Sequence, residues 1–383
     1  MRLPAELANK KVWRSVLYLL SIGLAIHLVL PQIPGLERSI RLVTHAAPVL
    51  IVAALVAELM SWLSYSELMG RSVGMAARLG RSSRDRKRGG LGRGFMLRLA
   101  ISENGASHVL PGGGASMAVV TYGALRSRGF PPDKIGVALT VVSTLVYGSL
   151  GIIFAGSLAH LLLNRDLDTL GLIATLAGLA VTLGAFAGSY AAYRSPRFTR
   201  NLLTRALRAI NLALRRGWSK QQIESLSKTS IARFGKDLHA VRRQLFGRSS
   251  ETFELLLLAF GYWIFDFLCL VLVFQALGVP AGIPDLLVAY GVATAAAALP
   301  LTPGGIGIFE TTMLATLTLL GVGAVAAIPI LGYRLFNFWL PIPLTIALYP
   351  TLRLGSRRYA HKPRGSIDPT GKSARKSGRR YRM

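Results

Sequence analysis

Long apolar stretches separated by short polar segments dominate the chain. Six of the apolar stretches run without interruption and have the length of about 20 residues that a helix needs to cross a bilayer. They cover residues 12–30, 45–66, 135–160, 169–193, 252–276 and 326–351. The pattern therefore predicts an all-α integral membrane protein with about six full transmembrane helices.

Two further apolar stretches are interrupted near their middle by proline and glycine. Residues 96–125 contain Pro111, Gly112, Gly113 and Gly114, and residues 286–321 contain Pro303, Gly304, Gly305 and Gly307. Proline removes a backbone donor and glycine weakens a helix, so neither stretch is expected to form one straight helix. Each is instead predicted to fold as a re-entrant helical hairpin that turns inside the membrane.

Basic residues are concentrated in the segments between the apolar stretches. The 383 residues carry 45 Lys and Arg against 17 Asp and Glu, a formal net charge of +28. Of these basic residues, 41 lie in 2–14, 67–98, 126–134, 194–248 and 353–383. Because cytoplasmic loops are enriched in Lys and Arg, these segments and both termini are assigned to the cytoplasm. The hairpins must then enter the membrane from opposite faces, 96–125 from the cytoplasm and 286–321 from outside.

The first half, 12–193, and the second half, 251–352, run in step when Pro111 is set over Pro303. Further matched pairs are Gly112 with Gly304, Gly113 with Gly305 and Gly129 with Gly321. Broken helices at matching positions and of opposite entry are typical of transporters with inverted repeats, whose sites lie near the membrane midplane. The glycines can also serve close helix packing alone. The sequence leaves both interpretations open.

Four ionisable side chains are predicted to lie inside the membrane, where a charge without a partner is costly. Arg334 lies in the last span and Glu310 follows the second break. They are expected either to form a structural ion pair or to bind a lipid phosphate, with Glu310 orienting the arginine. Asp266 and Glu58 can carry protons or accept hydrogen bonds from neighbouring helices.

The backbone at the two breaks completes the predicted substrate site. Irregular backbone at membrane depth needs partners, and Glu103 and Asn104 are expected to supply some of them at the first break. Helices that begin after Gly114 and Gly307 would direct free N–H groups toward the membrane centre, which suits an anion such as a lipid phosphate.

The segments outside the two halves are basic. The linker 194–250 contains two amphipathic, arginine-rich stretches, 198–214 and 231–245, which are expected to lie on anionic lipid or to pack against each other. The tail 353–383 is rich in Gly, Ser, Lys and Arg and is predicted to be disordered. Anionic lipid is the expected partner of this face, and no nucleic acid is expected.

Catalytic motifs, metal-ligand clusters and cofactor fingerprints are absent from the sequence. The single cysteine, Cys269, lies in an apolar stretch and is expected to be a buried small side chain. The most enzyme-like feature is the pair Asp166 and Asp168 in a short outer loop, because paired acids can hold a metal in lipid-dependent glycosyltransferases. An enzyme acting on a lipid-linked sugar, and a non-transporting scaffold for lipid-modifying enzymes, are therefore kept as alternatives to a transporter.

The run Leu301–Glu310, read together with Gly321-Val322 and Tyr333-Arg334-Leu335, resembles the transmembrane domain of the lysylphosphatidylglycerol synthase/flippase family. Val109–Gly114 resembles the earlier Pro-Gly element of that family. The likeness covers most of residues 12–352, so residues 1–352 are interpreted as one flippase-like membrane domain.

The membrane domain of that family is thought to move aminoacylated phospholipid between leaflets, so the resemblance implies a flippase-like module here. Its substrate is expected to be a phospholipid, aminoacylated or not, or another phosphate-bearing lipid. The soluble synthase domain of the family is not expected in this chain, because the residues after 352 are too few to form it. We therefore expect a lipid transporter of the plasma (inner) membrane and not an enzyme, with no cofactor. The lipid, the direction of transport, the energy source and the oligomeric state stay open, a homo-oligomer included.

Overall fold

The computed structural model describes residue 44 and residues 46–78, 91–110, 114–164, 249–297 and 302–354. Within these ranges all regular structure is helical, as predicted. The α-helices are α1 (Pro48–Arg78), α2 (Arg93–Val109), α3 (Gly114–Ser127), α4 (Pro132–Asn164), α5 (Ser249–Ala276), α6 (Ile283–Ala297), α7 (Ile308–Leu319), α8 (Ala327–Arg334) and α9 (Pro341–Leu354). The 3₁₀ turns Pro303–Gly305 and Ala324–Ala326 precede α7 and α8, and the π-helical segment Leu335–Trp339 joins α8 to α9.

Four helical segments are long and apolar enough to cross a membrane. They are Pro48–Arg78, Lys134–Leu163, Ser250–Ala276 and Ala324–Leu352, and they contain or closely match four of the six predicted spans. The other two predicted spans, 12–30 and 169–193, lie outside the described residues, as do the linker up to residue 248 and the tail from residue 355.

Both interrupted stretches are broken where the sequence predicts. The first break separates α2 from α3, and the second separates α6 from α7. The two arms pack against each other in each case, so both stretches are helical hairpins. Pro111, Gly112 and Gly113 lie outside the described residues, while Gly114 is the first residue of α3.

Two of the basic segments, 67–98 and 126–134, meet at one end of the helix bundle, called here the basic end. Arg71, in the last turns of α1, forms an ion pair with Glu254 in the first turns of α5. Arg128, which follows α3, lies with its guanidinium carbon 3.8 Å from the ring centroid of Phe95 at the start of α2. Both arms of the first hairpin therefore end beside the end of α1 and the start of α5.

The C-terminal end of α9 lies at this same end, because Arg98 near the start of α2 donates a hydrogen bond of 3.2 Å to the Thr351 hydroxyl. At the opposite end, the Ala47 amide donates to the Ala276 carbonyl over 2.9 Å and joins the start of α1 to the end of α5. The second hairpin begins from that opposite end, since α6 follows α5 after a short turn.

The two hairpins close with the same turn. At the offset of 192 residues that sets Pro111 over Pro303, the end of α3 at Ser127 falls on the end of α7 at Leu319. The next glycines, Gly129 and Gly321, have φ of 83° and 90°. In both turns the following amide donates to the carbonyl five residues earlier, from Phe130 to Leu125 and from Val322 to Leu317. This is the Schellman pattern, in which glycine supplies the left-handed residue.

The first arm of each hairpin packs against a helix of the other half. α2 of the first hairpin packs against α9, the last helix of the second half, and α6 of the second hairpin packs against α4, the last described helix of the first half. Glycines allow both approaches: a Cβ at Gly105 on α2 would lie 2.6 Å from the Pro341 carbonyl oxygen, and one at Gly291 on α6 would lie 2.8 Å from the Phe154 ring.

Replacement of Gly105 by alanine is expected to lower the stability of the protein by about 1–3 kcal/mol, because the added methyl group would overpack the contact between α2 and α9. The measurement is thermal unfolding of the purified protein in detergent. Gly94→Ala on the same helix is the matched control, because a Cβ there has no atom within 4 Å. An equal effect of both substitutions would show that helix propensity, and not this contact, governs the result.

Candidate functional site

The turn at the second break packs against the end of α2. Gly304 has φ 58°, and a Cβ there would lie 2.8 Å from the Cα atom of His108 and 2.5 Å from the ring of Phe338. Gly305 has φ 70°, and its Cβ would lie 2.6 Å from that of Ala297. Only glycine satisfies both the left-handed backbone and the close approach. These two glycines therefore have a packing role.

The end of α2 and the turn of the second break meet halfway along the last long helical segment. Phe338 lies fourteen residues from either end of the segment Ala324–Leu352. Its ring stacks on that of His108 with the centroids 4.3 Å apart. The Nδ1 atom of His108 lies 3.1 Å from the Phe338 carbonyl oxygen, and because that oxygen can only accept, Nδ1 is the donor.

This carbonyl belongs to the π-helical segment Leu335–Trp339. π-Helical turns inside α-helices disturb the regular pairing of the backbone and are frequent at functional sites. His108 thus ties the end of the first hairpin's first arm to an irregular point of the last long segment.

Arg334 is buried at this meeting point. Its Nε atom donates to Glu310 Oε1 over 2.6 Å, and its Nη2 atom lies 3.4 Å from the Gly304 carbonyl oxygen. The guanidinium carbon is 4.8 Å from the ring centroid of Phe309 and 4.3 Å from that of Phe338. Two aromatic rings therefore contact the cation, an arrangement in which cation–π attraction offsets part of the lost hydration.

Glu310 joins the arginine to the start of α7. Its Oε2 atom accepts the Gly307 amide hydrogen over 2.7 Å, and Gly307 has φ 80° with open space beside it. The side chain of Glu310 is 22% exposed, against 4% for Arg334. The sequence-predicted ion pair is present, and a carboxylate already stands at the positive end of α7.

Asp266 lies at the centre of a second polar cluster. Its carboxylate accepts hydrogen bonds from the hydroxyl groups of Tyr290 on α6 and of Tyr333 on α8, the latter at 2.9 Å. Asn337 donates through Nδ2 over 2.7 Å. Glu58 on α1 lies beside this carboxylate and is 1% exposed.

A family model described as the lysylphosphatidylglycerol synthase TM region matches residues 15–344. The match spans both hairpins and both polar clusters. The chain belongs to this family. Among curated proteins, no relative matches the chain. Membership confirms the resemblance seen in the sequence and indicates a multi-pass membrane protein with a lipid-related function.

In this member of the synthase TM-region family, Glu103 bonds to two hydroxyl groups of the described residues, while the backbone at 111–113 lies outside the described residues. Its carboxylate accepts hydrogen bonds from the hydroxyl groups of Tyr65, at 2.9 Å, and of Thr121, and it joins α1, α2 and α3. The neighbouring Asn104 is half-buried, and its carbonyl oxygen accepts the Ser107 hydroxyl over 2.6 Å.

Several residues of the two clusters were not predicted as site residues. They are His108, Tyr290, Phe309, Tyr333, Asn337 and Phe338. A local signal existed for two of them, because Tyr333 and Asn337 are four residues apart and share a helix face. No pattern in the sequence placed Tyr290 beside Asp266.

Glu310→Gln and Arg334→Met are each expected to destabilise the protein, because either change leaves one member of a largely buried pair without its counter-charge. The double substitution is expected to destabilise less than the two single effects together, by about 1–3 kcal/mol. Denaturant unfolding of all four proteins measures this coupling. Strict additivity would show that the ion pair contributes nothing to stability.

Proposed function

We propose that the chain is a lipid transporter that moves a phosphate-bearing lipid, an aminoacylated phospholipid among the candidates, between the leaflets of the plasma membrane. In this proposal six full spans and two re-entrant hairpins form an inverted repeat. The hairpins enter from opposite faces, and the termini and the basic segments are cytoplasmic. Anionic lipid covers the basic face.

The helix arrangement supports the repeat. The hairpins end with the same Schellman turn at equivalent residues, and each first arm packs on the last described helix of the other half. The first hairpin opens at the end of the bundle that gathers the basic segments, and the second starts from the other end. Inverted repeats with broken helices at matching positions are a recurrent construction of membrane transporters.

The observation that carries the proposal is the Arg334–Glu310 pair where the two breaks meet. A guanidinium binds phosphate through several parallel N–H groups, and this one lies halfway along the last long segment. The Glu310 carboxylate is itself an anion bound between Arg334 and the Gly307 amide, so it marks where an anion fits. A lipid phosphate would take this position or share it, while its acyl chains stay in the bilayer.

Asp266 and Glu58 supply negative charge or hydrogen-bond acceptors close to the arginine site. Tyr333 of α8 contacts Asp266, and Arg334 is the next residue on the neighbouring face of the same helix. An anion-binding arginine beside an acidic cluster suits a lipid with a phosphate and a cationic or hydroxylated headgroup. The chain is proposed to act without covalent chemistry on the lipid.

The opposed entry of the hairpins is tested by two single cysteines at equivalent positions. Ser127→Cys and Leu319→Cys lie at the ends of α3 and α7, both exposed, in a background in which the buried Cys269 is replaced by alanine. In intact cells a membrane-impermeant maleimide is expected to label the cysteine at 319 and not the one at 127. Inverted membrane vesicles should give the opposite result. Labelling of both from one side would contradict the inverted repeat.

Arg334→Ala is expected to reduce lipid movement by about 10- to 100-fold, the effect of losing a hydrogen bond between charged partners. The measurement is a leaflet-resolved assay in proteoliposomes with fluorescent phosphatidylglycerol and its lysyl ester. Arg93→Ala is the matched control, because Arg93 is exposed and pairs with Glu67 at the basic end. Unchanged flux in a stably folded Arg334→Ala protein would remove this arginine from the mechanism.

A further inference from the structure

Two carboxyl groups meet in the interior of the helix bundle, one from α1 and one from α5. The helices pack antiparallel, and the Ser61 hydroxyl donates to the Tyr262 carbonyl over 2.8 Å. Glu58 lies three residues before Ser61 on α1, and Asp266 lies four residues after Tyr262 on α5. Each is therefore on the helix face that meets the other helix. Their carboxyl groups are within hydrogen-bonding reach of each other. The residues are 1% and 4% exposed.

The two carboxyl groups differ in how well they are satisfied. Asp266 accepts hydrogen bonds from Tyr290, Tyr333 and Asn337. Glu58 Oε2 is buried without a hydrogen-bond partner among the described residues, and so is the indole N–H of Trp62, one turn further along α1. The Trp62 and Asn337 donors lie near Glu58, but neither meets Oε2 in hydrogen-bond geometry, so one hydrogen is missing between the two carboxyl groups.

The surroundings of the pair supply no counter-charge within the described part of the chain. The titratable groups that face it are Tyr262 and Cys269 on α5, Tyr290 on α6 and Tyr333 on α8, all of which are neutral when protonated. Asn337 and Trp62 are neutral donors. Arg334 is directed instead to Glu310. Two adjacent buried carboxylates repel each other and cannot both ionise without a cation.

We infer that the Glu58–Asp266 pair is a proton-binding site. One proton shared between the two carboxyl groups removes the repulsion and gives Glu58 Oε2 its missing hydrogen. Loss of the proton leaves two negative charges against Tyr290 of the second hairpin and Tyr333 of α8. If the protein moves lipid as proposed above, proton binding at this pair couples that movement to a proton gradient.

The proton site is tested without reference to transport. Infrared difference spectra between acidic and alkaline pH are recorded on the full-length protein in a maltoside detergent, which has no carbonyl group. The wild type is expected to show the C=O stretch of a protonated carboxyl that disappears on deprotonation. Glu58→Gln and Asp266→Asn are each expected to change this pH-dependent signal. Glu67→Gln, a half-buried carboxylate that pairs with Arg93 at the basic end, is expected to leave it intact.

Spectra that are the same in the wild type and in either folded variant would overturn the proton site. So would a wild type without a pH-dependent carboxyl band at any pH at which it stays folded, a result that needs no variant. Glu103 is a third buried carboxyl group, so the difference between wild type and variant is the readout.

The coupling is tested in proteoliposomes of phosphatidylcholine with fluorescent phosphatidylglycerol. An imposed pH gradient is expected to change the wild-type flux by at least about fivefold and to leave the flux of Glu58→Gln unchanged. A wild-type flux that is the same with and without the pH gradient would overturn the coupling. A wild type that moves no lipid at all would overturn the proposed transport and the coupling with it, while the infrared result would still decide the proton site.

Discussion

Broken helices inside a membrane must find partners for their backbone polar groups within the protein, and the described structure is organised around this requirement. At the second break, Arg334 lies near the Gly304 carbonyl and Glu310 accepts the Gly307 amide. At the first, His108 donates to a carbonyl of the π-helical segment. The polar side chains near the midplane therefore satisfy irregular backbone before any ligand is considered. A ligand that enters must preserve or replace these contacts.

The charge at this meeting point belongs to one half of the repeat. The positions equivalent to Glu310 and Arg334 in the first half are Ala118 and Val142, which carry no charge. The backbone symmetry of the hairpins is thus combined with an asymmetric site. In the proposed transporter, a symmetric pair of hairpins would provide two equivalent ways to tilt the bundle, whereas a one-sided charge would give a headgroup a single place to bind.

Local sequence signals were sufficient to predict the breaks, and they offered the ion pair as one of two arrangements of Glu310 and Arg334. Proline and glycine inside apolar stretches weaken a helix wherever they occur, and a buried arginine needs an acid, of which Glu310 was the nearest in the hairpin before it. The partners of Glu103 and Asp266 were different. Glu103 was expected at the backbone of the first break, and among the described residues it bonds to Tyr65 and Thr121. Those partners depend on how three helices pack, and spacing along one helix does not contain that information.

The two polar clusters are adjacent through consecutive residues of α8. Tyr333 reaches Asp266 and Arg334 reaches Glu310, on helix faces about 100° apart. The ring of Phe309 contacts both, 5.8 Å from the Tyr333 ring centroid and 4.8 Å from the Arg334 guanidinium carbon. A rotation of α8 that lengthens one contact must alter the other, because both side chains leave the same turn. The π-helical segment that follows α8 is a point where such a rotation can be absorbed without breaking the long helix. In the proposed transporter, charge at the acidic pair and occupancy of the arginine site would thereby be linked through a single helical turn.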